Sequence, residues 1–180
     1  MRTQTRIERY TSKLNTASYV PAYLATINFI HDDNLALLIR TSACFGLKGV
    51  MVIGSVPPKS FLRPKSGSTL EFVEVQSFKN PASFLAFNRN QGFNVLSLEL
   101  TSRSIDVQEY PFQLSETMTF VVGNESYGIP EEILVNTPHI HINMNGPGFC
   151  LNSAQAGTVL AYEYTSRYLN RDKRNANGLF

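Results

Sequence analysis

Short apolar runs of strand length alternate along this chain with longer segments in which apolar residues recur at helical spacing. The strand-length runs are residues 23–29, 50–53, 72–75, 94–98, 118–122 and 139–142. Because helical segments separate most of these strands, the chain is built from βαβ units, which place the strands parallel and cover both faces of the sheet. The pattern therefore predicts an α/β fold with a mostly parallel sheet.

Residues that favour helix ends bound the helical segments. Asn34 is a favoured N-cap and Gly46 a favoured stop, so a helix is expected from Asn34 to Phe45. Further helices are expected over 81–90, 130–135 and 152–169. Residues 55–69 are rich in Pro, Lys, Ser and Gly and are interpreted as a long loop.

Length and composition limit the function classes. The chain has 180 residues, the size of one domain, which we place over residues 1–180. Sixteen Lys+Arg against fourteen Asp+Glu give a net charge of +2, too mild to indicate or to forbid nucleic-acid binding. No apolar run approaches the roughly 18 residues of a membrane span, and no secretory signal follows the N-terminus. Cys44 and Cys150 form no CxxC pair, so neither a zinc site nor a disulfide framework is predicted, and a cytoplasmic location is expected.

Three segments are expected at the carboxyl ends of the strands, where open parallel sheets bind ligands. They are residues 30–34, 123–130 and 144–152, and the last two contain several Gly and Asn residues. Such residues allow left-handed backbone and close approach to a ligand. Neither GxGxxG nor GxxxxGK[ST] occurs, so a dinucleotide or P-loop site lacks its sequence motif.

These segments carry motifs that resemble those of the SpoU/TrmH family of RNA ribose 2′-O-methyltransferases. NLALLIRTSACFG (34–46) resembles the first motif, FVVGNESYGIP (120–130) the second, and INMNG (142–146) followed by LNS (151–153) the third. KSGS (65–68) also resembles a Ser-x-Gly-small turn that such proteins carry between motifs. The resemblance covers about residues 19–167, leaving a basic tail at each end.

The resemblance implies a SPOUT fold with a C-terminal trefoil knot. It implies methyl transfer from S-adenosylmethionine to a ribose 2′-hydroxyl of tRNA or rRNA, by a homodimer that needs no metal. One protomer of such dimers often supplies part of the RNA site of the other.

The same resemblance assigns the catalytic candidates Arg40, Asn34, Glu125, Asn152 and Cys150. Family proposals make the arginine a general base. Because arginine stays charged in proteins and its guanidinium suits phosphate, we prefer a positioning role for Arg40. We expect Glu125 to orient the site, by a hydrogen bond to Arg40 as a hypothesis. Asn34 and Asn152 double as helix caps, and Cys150 stands where most relatives have serine.

Five residues are expected to line the cofactor pocket, which the family forms largely from backbone groups in its knot. They are Leu98, Gly123, Ile142, Met144 and Leu151. Tyr127 is larger than the small residue common in the second motif, and it is expected to narrow or line the substrate entrance.

Basic residues of the two tails and of the 55–69 segment are the candidates for contact with RNA phosphates. They are Arg2, Arg6, Arg9, Lys13, Arg63, Lys65, Arg167, Arg171, Lys173 and Arg174.

Two alternatives stay open. The first is a catalytically impaired SPOUT-fold RNA-binding protein, in which Cys150 replaces the usual Ser. The second is a small-molecule hydrolase that uses Cys150 with His139 or His141, two histidines that alternate on one strand and share a face. A metal site at these histidines lacks further ligands at a persuasive spacing.

Overall fold

A computed structural model describes residues 5–148 and 150–176 of the chain. The strands are β1 (Val20–Ile27), β2 (Leu47–Ile53), β3 (Glu74–Phe78), β4 (Asn94–Leu98), β5 (Ile105–Asp106), β6 (Met118–Val122) and β7 (His139–His141). The helices are α1 (Arg6–Thr16), α2 (Asp32–Phe45), α3 (Lys59–Lys65), α4 (Pro81–Gln91), α5 (Glu131–Leu134) and α6 (Ser153–Ala176), with a 3₁₀ turn at Leu70–Phe72.

The seven strands form one sheet in the order β3-β2-β1-β6-β4-β7-β5, and every neighbouring pair is parallel. The predicted α/β class and parallel sheet are therefore confirmed. In the register of the central strands, Leu24 pairs with Val50 on one side and with Phe120 on the other.

Alternation along the strands divides the core into two layers. Leu24 and Phe120 belong to the layer that also contains buried residues of α2 and α6, whereas Ala25 and Val121 belong to the layer beneath α4 and α5. Helices α2 and α6 lie against each other, and the hydroxyls of Thr41 and Thr158 are 2.8 Å apart between them. Helix α2 carries the first motif, and the third motif leads into α6.

Several predicted boundaries need correction. Helix α2 begins at Asp32 with His31 as its N-cap residue, so Asn34 is not the cap but lies within the first turn. The predicted loop over 55–69 contains helix α3, and the predicted strand over 72–75 begins only at Glu74, after the 3₁₀ turn. Helix α1 and the two-residue strand β5 were not predicted.

The sheet order brings the predicted cofactor-binding strands together. Leu98 at the end of β4 pairs in register with Val122 of β6 and with Ile140 of β7. Gly123 and Ile142, which directly follow β6 and β7, therefore lie at the same edge as Leu98. The trefoil knot that the resemblance implies stays a prediction. Among the described helices, none combines the length and the apolar character that crossing a membrane requires.

Candidate active site

The Glu125 carboxylate binds the start of α2. Oε2 accepts a hydrogen bond from the Ile30 backbone amide at 2.8 Å, and Oε1 accepts from the His31 amide at 3.4 Å and from Asn34 Nδ2 at 2.5 Å. Burial raises the pKa of this carboxyl, but hydrogen bonds from the Ile30 amide, its own amide and Asn34 outweigh burial and lower the pKa. A negative charge at a helix N-terminus is also favoured by the helix dipole.

Asn34 and Asn152 extend this contact into the third motif. Asn152 Nδ2 donates to Asn34 Oδ1 at 3.1 Å, while Asn34 uses its own amide nitrogen on Glu125. Asn152 Oδ1 accepts from the backbone amides of Ala154 at 2.9 Å and Gln155 at 3.2 Å. Each side-chain amide thus has its donor and acceptor ends assigned by its partners.

The three predicted residues therefore form one hydrogen-bonded chain, Glu125–Asn34–Asn152, although they lie far apart in sequence. The helix-capping role expected for Asn152 is confirmed, because its side chain caps α6. For Asn34 it is wrong. Its buried side chain links the other two residues, and no side chain caps α2.

The second-motif loop is closed by its own backbone. Asn124 and Gly128 exchange two backbone hydrogen bonds of 3.0 Å each, and buried Asn124 also donates through Nδ2 to the Asn28 carbonyl at the end of β1. A Cβ added at Gly123 would lie 2.7 Å from the Gly128 carbonyl carbon. The Gly spacing of this motif is thus explained by backbone contact across the loop.

Asn28 and Asn124 were not singled out from the sequence. Each is a polar residue that directly or closely follows a buried strand, and this position is the signal that marks them.

Arg40 is exposed on α2 and lies beside the backbone of Gly67, after α3. The ideal Cβ position of Gly67 is 3.5 Å from Arg40 Cζ. Among the described residues, no ion pair or hydrogen bond joins Arg40 to Glu125, whose oxygens are already occupied by donors at the start of α2. The hypothesis that Glu125 holds Arg40 directly is not supported by this geometry.

Arg40 also lines a groove of about 380 Å³ between α2 and α6. The other lining residues are Leu37, Thr41, Cys44, Phe45, Ala154, Gln155 and Thr158. The groove is mostly apolar, so a guanidinium at its edge is the group within it best suited to a phosphate.

The candidate cofactor residues lie at the edge formed by β4, β6 and β7. Leu98, Gly123 and Ile142 are half-buried, while Met144 and Leu151 are exposed. The backbone groups of residues 143–148 share no hydrogen bond with any other described residue, which leaves their carbonyl oxygens, and the N–H groups of all but Pro147, available to a ligand. Apolar side chains next to free backbone groups fit an adenosyl group bound without charged residues.

Glu99 directly follows Leu98 and is a further residue that the sequence analysis missed. Its Oε2 accepts a hydrogen bond from the Ile129 amide at 3.3 Å, and the same oxygen is 2.7 Å from the ideal Cβ position of Gly128. Glu99 therefore supports the second-motif loop from the side of β4.

The two histidines bind loop residues and not Cys150. His139 Nε2 donates to the Leu134 carbonyl at 2.8 Å, and its Nδ1 lies 2.9 Å from the Thr101 hydroxyl. His141 Nδ1 lies 3.0 Å from the Ser104 hydroxyl. Cys150 is exposed and shares no hydrogen bond with either histidine, so the geometry offers no activated thiol. In the described part of the chain, no cluster of His, Cys, Asp and Glu could hold a metal ion.

Arg167 is not available to RNA in the way the sequence suggested. Its guanidinium donates to Glu163 at 2.6 Å and to the carbonyl oxygens of Tyr110 at 3.0 Å and Val107 at 3.2 Å. It also donates to the Gln108 carbonyl, and its side chain is only 16% exposed. Arg167 therefore fastens α6 to the segment after β5.

The remaining basic candidates differ in their surroundings. Arg63 pairs with Glu71 at 2.6 Å, Lys65 pairs with Asp33, and the Arg171 guanidinium lies 4.0 Å from the ring centroid of Tyr168. Arg9 and Lys13 are exposed on α1. Arg2 lies outside the described residues, as do the side chains of Arg6, Lys173 and Arg174.

Comparison with known proteins places these features in a family. The model of the SpoU rRNA Methylase family matches residues 21–162, which include the whole Glu125–Asn34–Asn152 chain and Arg40. The chain belongs to this family. The family resemblance drawn from the three motifs is thereby confirmed.

Three similar proteins show how far the likeness extends. The tRNA (guanosine(18)-2′-O)-methyltransferase of Mus musculus is 31% identical over 142 residues, which are 76% of this chain and 9% of the mouse protein. A solved structure described as giving structural insights into the 2-OH methylation of C/U34 on tRNA contains a chain that is 27% identical to this one, with a TM-score of 0.71. The match covers 83% of this chain and 97% of the other. The AdoMet-bound rRNA methyltransferase of Sinorhizobium meliloti is 21% identical with a TM-score of 0.75, covering 83% of this chain and 57% of that one.

The chain thus has the SPOUT fold of these methyltransferases, and it spans only a small part of the mouse protein and little more than half of the S. meliloti protein.

Proposed function

We propose that this chain transfers a methyl group from S-adenosylmethionine to a ribose 2′-hydroxyl of RNA. The observation that carries the proposal is the Glu125–Asn34–Asn152 chain. It ties the three family motifs together at the carboxyl ends of the parallel strands, beside the open backbone of residues 143–148. Structural packing alone does not require three polar residues from three separate motifs to meet at this edge.

The cofactor, when bound, supplies an electrophilic methyl group, and the chain's own residues must bring the hydroxyl to it. Arg40 is proposed to bind an RNA phosphate through its guanidinium, since it is exposed and no carboxylate of the described residues pairs with it. Leu98, Gly123, Ile142, Met144 and Leu151 are proposed to hold the adenosyl group. As the oxygen–methyl bond forms, the bond between that methyl group and the cofactor sulfur breaks, and the hydroxyl proton is lost to solvent.

A tRNA is the favoured substrate. The mouse relative is a tRNA 2′-O-methyltransferase, and the C/U34 structure, at 27% identity, also concerns 2-OH methylation of tRNA. The family name refers to rRNA, so rRNA is the alternative substrate within the same chemistry. Exposed Arg9, Lys13, Arg63 and Lys65 are proposed to contact phosphates.

A homodimer is proposed to form through the face of α2 and α6. Leu37 is 43% exposed, Val159 40% and Tyr162 61%, a concentration of apolar surface on two adjacent helices. Since Arg40 lines the groove in this face, a partner protomer seated there would complete the RNA site. The cytoplasmic location expected from the sequence stays a prediction.

The proposal is tested by incubating the protein with methyl-labelled S-adenosylmethionine and separately purified tRNA and rRNA. We expect label in tRNA. The Arg40→Ala variant should lose label by about 10²-fold or more if the guanidinium positions the substrate. Arg89→Ala, which removes an exposed charge from α4, is the matched control and should retain activity. Failure of the wild-type protein to bind the cofactor or to label either RNA would contradict the proposal.

A further inference from the structure

The exposed guanidinium of Arg40 lies over the position that the side chain of one particular residue, Gly67, would occupy. The ideal Cβ position of Gly67 is 3.5 Å from Arg40 Cζ, 3.6 Å from Nε and 3.6 Å from Nη1. Three guanidinium atoms at nearly equal distances show that the planar group lies flat over this position. A methyl group would only just touch the guanidinium, whereas a longer side chain would occupy part of its space.

The turn that carries Gly67 has an unusual backbone. Gly67 has φ +68° and Ser68 has φ +66°, and Ser68 is the one non-glycine residue with positive φ in the described ranges 5–148 and 150–176. Left-handed backbone at a residue with a side chain is unfavourable and persists where the surroundings impose it.

Those surroundings are the protein core. Ser66 and Thr69, on either side of the turn, are buried. The Thr69 hydroxyl donates to the Ser66 carbonyl at 2.8 Å, and the Ser66 hydroxyl donates to the Arg63 carbonyl at 3.2 Å. The two left-handed residues are therefore held between fixed ends.

The turn also contacts α2 at two points on one face of that helix. Lys65 pairs with Asp33, and the guanidinium of Arg40 faces the ideal Cβ position of Gly67. Asp33 and Arg40 are seven residues apart, close to two helical turns, so their side chains project on the same side. These two points fix the direction of the segment 65–67 relative to the axis of α2.

We propose that Gly67 is a positioning residue for Arg40. Because Gly67 has no side chain and is held between buried Ser66 and Thr69, it leaves open the space in which the guanidinium lies and so sets the direction in which Arg40 meets the RNA. The inference rests on the proposed function, because it concerns how Arg40 serves methyl transfer.

The test uses two substitutions at Gly67 and the same two at Gly92. Gly92 also has φ +68°, but nothing lies within 4 Å of its ideal Cβ position. Asparagine tolerates left-handed backbone, so Gly67→Asn and Gly92→Asn differ mainly in whether the new side chain meets Arg40. Gly67→Ala and Gly92→Ala share the backbone penalty, which should lower Tm by about 2–8 °C in each.

We expect Gly67→Asn to lower kcat by about 10²-fold. Its Kd for S-adenosylmethionine, measured by calorimetry, should stay at the wild-type value. A general loss of structure would instead weaken binding of the cofactor as well. Gly92→Asn should leave kcat unchanged, and Gly67→Ala should fall between the two.

Equal kcat values for Gly67→Asn and Gly92→Asn in an active wild-type background overturn the inference alone. If Gly67→Asn does not fold, the comparison of Gly67→Ala with Gly92→Ala is used instead. Equal kcat values for these two variants at equal Tm would also overturn the inference about Gly67. A wild-type protein without methyl transfer contradicts the proposed function instead.

Discussion

Glu125 is the ionisable residue of the hydrogen-bonded chain Glu125–Asn34–Asn152. Its lowered pKa means that the carboxylate forms readily and accepts all its hydrogen bonds in charged form. Because the pKa is below the ordinary value of 4.5, this stabilisation is complete above pH 4.5 and is lost as pH falls through the lowered value.

Glu125→Gln should therefore lower the free energy of unfolding at pH 7 by about 1 kcal/mol, since a neutral amide oxygen is a weaker acceptor and the residue is partly exposed. Urea unfolding at pH 7 and at pH 3.5 measures the difference. We expect it to shrink at the lower pH. Glu109→Gln, an exposed residue without a side-chain hydrogen bond in the described structure, is the control and should change neither value. An equal loss at both pH values would contradict the charged role of Glu125.

Arg167 is a residue whose charge suggested contact with RNA, although its guanidinium is bound within the protein. Arg167→Ala leaves the carbonyl oxygens of Tyr110, Val107 and Gln108 without their donor, so unfolding should become easier by about 2–3 kcal/mol. RNA affinity at a temperature where the variant is folded should stay within about twofold of wild type. Thermal unfolding and filter binding measure the two quantities, and a large loss of affinity without loss of stability would restore the original interpretation.

The sequence predicted which residues of the candidate site lie near one another better than it predicted their contacts. Motif spacing placed Asn34, Glu125 and Asn152 in one region, but it did not show that Asn34 joins the other two. That link depends on where α2 begins, and a sequence pattern locates the ends of a helix less precisely than the helix itself. Because His31 is the cap residue, Asn34 lies one turn into the helix and not at its end, and its side chain can join the hydrogen-bonded chain.

At the scale of elements, buried segments were predicted well and exposed ones poorly. Strands β4 and β6 and helix α4 follow from apolar periodicity and a Pro start, and the stop of α2 at Gly46 is confirmed by φ +69°. Helix α3 was missed because Pro, Lys and Ser dominate its sequence and only Leu62 is buried. Its packing on α2 is a tertiary contact that no local pattern shows.

The N-terminus of α6 offers an element-scale prediction. Asn152→Ala removes both the cap and the link to Asn34, and should cost about 1–2 kcal/mol of stability. Asn152→Ser keeps a capping oxygen but lacks an amide donor, so it should recover most of the stability. Methyl transfer should stay low in both variants if the link to Asn34 orients the site. Recovery of full activity by Asn152→Ser would show that capping is the whole role of this residue.

At the scale of the whole molecule, the exposed face of α2 and α6 is the surface through which we propose that the dimer forms. A charge placed on it should prevent a partner from burying it, so Val159→Asp and Tyr162→Asp are expected to sediment as monomers and the wild-type protein as a dimer. Val135→Asp, at an apolar residue that is 60% exposed after α5, is the control and should remain dimeric. A monomeric wild-type protein at micromolar concentration would contradict the dimer.

The nature of the methylated atom tests the central claim most directly. Alkali cleaves RNA through the ribose 2′-hydroxyl, so a nucleotide methylated at that oxygen stays joined to its 3′ neighbour. RNA labelled by this protein with methyl-labelled S-adenosylmethionine should therefore release its label in alkali-resistant dinucleotides. Label recovered in mononucleotides, which indicates methylation of a base, would contradict the account.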